Sequence, residues 1–88
     1  MSNSEDIANL RNIGPTSAAW LRHIGIQSRN DLESIGVVAA FLAVRDAGFR
    51  PTFNFLWAMA AGLQDSPWQS LTEEIKVRLL QELRNMEG

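Results

Sequence analysis

Arg11, Arg22 and Arg29 lie in a stretch from Ala8 to Asn30 that contains no acidic residue, in a chain whose formal net charge is −2. Guanidinium groups clustered in this way can flank nucleic-acid phosphates. Between them sit Asn12, Ile13 and Gly14, and further on Gly25, at points where the chain must turn sharply before a new helix. Tight turns of this kind leave backbone N–H groups unbonded, and the helix dipole adds a partial positive charge that favours an anion. The chemistry within reach is therefore phosphate holding. Its candidate nucleic-acid-binding residues are Arg11, Asn12, Ile13, Gly14, Arg22, Gly25 and Arg29. The same arginines also read as ordinary solvated charge, and the same turns as plain interhelical connections.

Other chemistry finds little support. His23 is the single histidine and there is no cysteine, so no metal site is expected. The Ser, Thr, Asp and Glu residues fall at helix caps and on exposed faces and form no nucleophile–base–orienter set. No catalytic residue, cofactor or small-molecule substrate is therefore expected. Trp20, Trp57 and Trp68 could stack bases. Trp20 and Trp57 lie on apolar helix faces and read as core, and Trp68 as a cap over it.

The elements that position the candidates follow from a repeat. Leu-x-x-Ile-Gly occurs at Leu10/Ile13/Gly14, Leu21/Ile24/Gly25 and Leu32/Ile35/Gly36, each copy eleven residues after the last. Leu and Ile three apart share a helix face, and the glycine that follows adopts φ > 0 without a Cβ clash. The pattern predicts short helices, each stopped and re-aimed by glycine. A first helix is expected from Ser4 to Arg11, with Glu5 and Asp6 in its first turn and Asn12 ending it in the left-handed region. Pro15 suits the first position of the second helix. Ser28 is expected to cap the third helix, with Asp31 as its capping-box partner.

A fourth helix, apolar over Val37 to Val44, stops at Gly48. A fifth, Phe53 to Gln64, is apolar almost all round and is expected at the centre of the fold or in an interface. A sixth begins near Ser70 to Thr72, with the stripe Leu71, Ile75, Leu79, Leu83, Met86 and a Glu74–Arg78 pair. The fold class is all-α: five or six short helices in an orthogonal bundle of the helix-hairpin-helix or SAM-like type. A single domain spans 1–88, with hairpin repeats in 8–36 and the remaining helices in 37–86.

A hydrophobic fraction of 45% is typical of a globular chain. A pI near 5.2 argues against nucleic-acid binding driven by bulk charge. The start of the chain lacks the basic and apolar regions of a signal peptide, and the run Val37 to Val44 is too short to span a membrane. With no cysteine, these features lead to the expectation of a cytoplasmic protein without membrane contact.

The segment Leu10-Arg-Asn-Ile13-Gly14-Pro15-Thr-Ser-Ala18 resembles the helix-hairpin-helix motif, hydrophobic-x-Gly-hydrophobic-Gly-x-x-x-Ala, with Asn12 in place of the first glycine. In that motif the hairpin amides and the following helix hold a DNA phosphate. More widely, the chain from about Leu10 to Leu83 resembles the C-terminal domain of the TfoX/Sxy family of bacterial competence regulators. The matching residues are Asn12-Ile13-Gly14-Pro15, Leu21 with Gly25-Ile26, Asp31-Leu32, Ile35 through Ala40, Asn54 through Ala58, Gly62-Leu63, and Trp68 with Leu71. Met59-Ala60-Ala61-Gly62 departs from the expected Leu-Glu-Gly-Ala type. The N-terminal domain of the two-domain members has no counterpart here, so the chain reads as a free-standing version or a fragment.

The resemblance implies a non-enzymatic, regulatory role in competence or transcription. Two modes of action are open. One is weak, sequence-tolerant contact with the DNA backbone. The other is a protein-interaction or dimerisation module, with a transcription factor or a second copy meeting the fifth helix and no nucleic acid involved.

Overall fold

Residues 5–87, which the computed structural model describes, form five α-helices and two short 3-10 turns. The helices are α1 (Pro15–His23), α2 (Arg29–Ile35), α3 (Val37–Asp46), α4 (Phe53–Leu63) and α5 (Glu73–Glu87). The 3-10 turns are Ile7–Asn9 and Trp68–Ser70. The described residues contain no strand, only an isolated antiparallel bridge between Asp6 and Ser28. The all-α class expected from the repeat is the observed one.

Helix α4 is the central element. Phe55, Leu56, Trp57, Ala58, Met59, Ala61 and Gly62 are all buried. Its all-round apolar character is therefore accounted for by burial within the chain itself, with Phe53 left half exposed at its start. The core around it takes in Leu10, Leu21 and Leu32, one residue from each repeat copy, together with Ile7, Ile26, Val38 and Val44. Helix α3 packs against α4 on one side and α5 on the other. No polar or charged residue is buried among the described residues.

The glycine punctuation is as expected at two of the three repeats. Gly25 has φ 93° and Gly36 φ 92°. Gly36 ends α2 by donating its N–H to the Leu32 carbonyl at 2.8 Å. It also begins α3 by accepting from the Ala40 N–H at 3.0 Å. Ser28 caps α2, its hydroxyl accepting from the Asp31 N–H at 3.2 Å. The Asp31 carboxylate turns instead to the Gln27 N–H, at 3.0 Å, so the reciprocal half of the capping box is displaced by one residue.

Three expectations are corrected. The first predicted helix is only the 3-10 turn Ile7–Asn9, capped by Asp6, which accepts from the Ala8 N–H at 2.9 Å. A longer helix is pre-empted because the Ile7 N–H donates to the Gln27 carbonyl and the Glu5 carbonyl accepts from the Arg29 N–H. These bonds to the start of α2 hold the segment extended up to Asp6. Ser4, the expected cap, lies outside the described residues. The second correction concerns Gly14, which has φ −90° and ψ −179° and is the N-cap of α1 rather than a left-handed helix stop. The left-handed residue of this hairpin is Asn12, at φ 73°. Third, Met86 is half exposed and lies outside the buried stripe of α5. The Glu74–Arg78 pair forms at 3.4 Å.

Candidate functional site

The hairpin from Leu10 to Pro15 is built by Asn12. Its left-handed backbone reverses the chain, and the Ile13 N–H donates back to the Leu10 carbonyl at 3.1 Å. Ile13 is buried and anchors the turn, while Gly14 stays exposed at the head of α1. Pro15 occupies the first turn of α1, and no side chain caps that helix. The Ala18 N–H is the first to find an intrahelical carbonyl, that of Gly14. A helix start of this kind leaves its first amides unbonded within the helix.

The three arginines of the repeat region do not converge on that start. Arg11 donates to the Asp65 carbonyl at 3.1 Å. Arg22 pairs with Asp6 at 2.8 Å. Arg29 is enclosed by Asp65 at 3.1 Å, Glu33 at 3.7 Å and Glu5 at 3.9 Å, and also donates to the Leu63 carbonyl. Asn12 itself donates to the Ser66 carbonyl at 2.7 Å. Arg11, Asn12 and Arg29 thus fasten the hairpin and the head of α2 to the turn after α4. The Arg22 partner is also tuned: the Asp6 carboxyl is held below its ordinary value first by the Ala8 N–H, with desolvation opposing and Arg22 adding to the effect.

At the second glycine turn the amides are committed. The Gly25 N–H donates to Arg22, and those of Ile24 and Ile26 both donate to Leu21, at 2.9–3.2 Å. That turn closes α1 and leaves none of these three amides free.

The hairpin does border a cleft of about 350 Å³. Asn12 and Ser17 line it from the hairpin and the first turn of α1. Arg50, Thr52 and Asn54 line it from the segment that begins α4. Trp20, Phe55, Ala58 and Trp68 form its apolar wall. The head of α4, like that of α1, has no side-chain cap, since the Thr52 hydroxyl makes no capping bond. Arg50 is exposed and forms no ion pair among the described residues. The cleft can therefore offer one uncompensated guanidinium, neutral hydroxyl and amide groups, and aromatic surface. His23 lies apart from this polar set, edge-on to Phe49 with centroids 5.2 Å apart.

Of the seven candidate phosphate-binding residues, the structure brings only Asn12 to the cleft lining, where it meets Trp20 and Trp68, two of the three tryptophans weighed for base stacking. Arg50, Thr52 and Asn54 do not stand out in the sequence, because they lie far along the chain from the arginines of the repeats. A local signal was present: Arg50-Pro51-Thr52 places a cation and a proline just before the start of α4.

Two crystal structures share this fold. One, of an uncharacterised protein from Listeria monocytogenes in a triclinic form, is 26% identical over 94% of each chain, with a TM-score of 0.81. The other, of a protein of unknown function from Listeria monocytogenes in a tetragonal form, is 24% identical, covering 93% of this chain and all of that one, with a TM-score of 0.80. No curated protein sequence matches the chain. The model of the TfoX C-terminal domain matches residues 3–83, and the chain belongs to that family.

Proposed function

We propose that this domain is a non-catalytic regulatory module, acting in competence or transcription, that makes weak, sequence-tolerant contact with a nucleic-acid phosphate at the cleft between α1 and α4. The supporting observation is the position of Arg50. It is the cation without an ion-pair partner that lines the same cleft as the uncapped first turns of α1 and α4. A phosphate contact carries no sequence information. With one or two charges engaged, the log–log salt slope is about −1 to −2, and affinity falls in the non-specific range of roughly 10⁻⁴ to 10⁻⁶ M or weaker. The paired arginines Arg22 and Arg29 contribute little to that slope.

The test is a titration of the labelled protein with DNA at low and moderate salt, read by amide shifts and anisotropy. Shifts are expected at residues 14–17 and 50–54, and Arg50→Glu abolishes them with helical circular dichroism unchanged. If the wild type shows no shifts there even at low salt, the phosphate reading is wrong.

A second reading, protein contact, is supported by an apolar groove of about 350 Å³ between α4 and α5, lined by Val37, Ala60, Leu63, Ile75 and Leu79. Exposed Ile35 and Val77 add apolar surface on α2 and α5. Sedimentation of the chain across concentration tests whether a second copy fills the groove.

A further inference from the structure

We infer that the cleft takes one unpaired nucleotide, with its phosphate on Arg50 and its base on Trp68. This rests on the phosphate reading above and names the ligand more closely. A phosphodiester in a duplex would use only the polar side of the cleft. The cleft is also lined by aromatic rings, and a base held in a duplex, paired and stacked on its neighbours, has no free face to offer them.

Trp68 is the ring available for stacking. Trp20 is already occupied, stacked on Phe49 at 5.6 Å and edge-on to Phe55 at 5.5 Å. Trp57 is buried in α4, with Lys76 over it at 5.7 Å. Trp68 is half-buried and has no ring partner among the described residues. The 3-10 turn that carries it packs against α4, so the indole is held in place before any ligand arrives. Every base has a π-face, so such a platform is sequence-tolerant.

Asn54, exposed in the first turn of α4, lines the same cleft as Arg50 and Trp68 and has no side-chain hydrogen bond among the described residues. Its amide offers both a donor and an acceptor to a base edge. The volume, about 350 Å³, lies at the lower end of the range for small-ligand sites, roughly 300–1,000 Å³. That suits one nucleotide rather than a longer segment. The domain's net charge of −2 suits a single phosphate better than a long polyanion laid along its surface.

The test compares four probes on the full chain: deoxyadenosine monophosphate, a short single-stranded oligodeoxynucleotide, the duplex of the same sequence, and inorganic phosphate. The single strand is expected to bind roughly tenfold or more tighter than the duplex, the size of one base–indole stack. The mononucleotide is expected to shift the same amides as the strand and to perturb the Trp68 indole N–H, whereas inorganic phosphate leaves that indole signal unmoved. Trp68→Ala brings the single strand down to the duplex affinity, and Trp68→Phe retains most of the preference. Because Trp68 also touches the core, Asn54→Ala gives an independent arm, expected to weaken the mononucleotide and the single strand but not the duplex.

Equal binding of duplex and single strand that still depends on Arg50 overturns this inference and leaves the phosphate reading intact. Absence of any nucleic-acid binding overturns both. Displacement of the strand by inorganic phosphate as readily as by the mononucleotide shows that the base makes no contact. Tighter binding of an acidic peptide carrying an aromatic residue assigns the cleft to a protein partner instead.

Discussion

The Asn12 side-chain amide donates to the Ser66 carbonyl at 2.7 Å, joining two turns that lie 54 residues apart in the chain. Arg11 reinforces the junction through the Asp65 carbonyl, and Arg29 through the Asp65 carboxylate. The turn they hold leads into Pro67 and Trp68. Residues whose type and spacing suggested phosphate binding thus hold the turn that leads to Trp68, which lines the same cleft as Arg50. The positive charges of Arg11 and Arg29 are engaged by carbonyls and acids of the same domain, and this junction carries the first prediction.

Replacing Asn12 separates its two roles. Asn12→Gly keeps the φ of 73° but loses the bond to Ser66, with an expected cost of about 0.5–1.5 kcal/mol. Asn12→Ala loses the same bond but keeps a Cβ in the left-handed region, without the polar group that eases asparagine there, and is expected to cost about 1 kcal/mol more than the glycine variant. Denaturant unfolding of both variants checks the order. An alanine variant as stable as the glycine variant would remove the backbone role.

Gly62 is where α4 meets the hairpin. A Cβ there would sit 2.5 Å from the Arg11 carbonyl oxygen and 3.1 Å from the Leu10 Cγ. Gly62→Ala must push the hairpin away from α4, at an expected cost of about 1–3 kcal/mol. Gly14 makes the opposite case: its φ is negative, and nothing lies within 4 Å of an added Cβ. Gly14→Ser supplies a good N-cap and is expected to change stability by no more than about 0.5 kcal/mol. Thermal melts of the two variants should differ clearly, and equal melts would contradict the close approach at Gly62.

Leu56 is fully buried in α4. Leu56→Ala is expected to destabilise by roughly 2–5 kcal/mol. In a domain of this size that is enough to unfold much of the population. A loss under about 1 kcal/mol in chemical denaturation would show that α4 is not the centre of the fold.

Asp6 gives a pH dependence of known sign. Its folded carboxyl lies below the ordinary 3.8, because the Ala8 N–H and Arg22 favour the charged form. The stabilisation is therefore fully present above that ordinary value and disappears as the pH falls through the lower folded one. Unfolding midpoints measured from about pH 5 down to about pH 3 should fall less steeply in Asp6→Asn than in the wild type. Parallel slopes would show that this carboxylate is unlinked to folding.

Much of the fold was legible in the chain because its determinants are local. Gly25 and Gly36 mark positive φ, Pro15 a first helical turn, Ser28 a cap, and the apolar run of α4 a central helix. Each depends on sterics or hydrogen bonds within a few residues. The short helices and the all-α class follow from them. What tertiary structure alone decided were the partners. The segment just before Ile7 is extended because Glu5 and Ile7 bond to Arg29 and Gln27 rather than to their own next turn. Gly14 is a cap because Asn12 takes the reversal. Arg11, Arg22 and Arg29 are engaged by acids and carbonyls brought close by folding, while Arg50, distant from the hairpin in sequence, has no ion-pair partner among the described residues and lies beside it. Spacing along the chain reports which residues share a helix face. Which charge meets which is settled by contacts between distant segments, and these exist only once the core around α4 has formed.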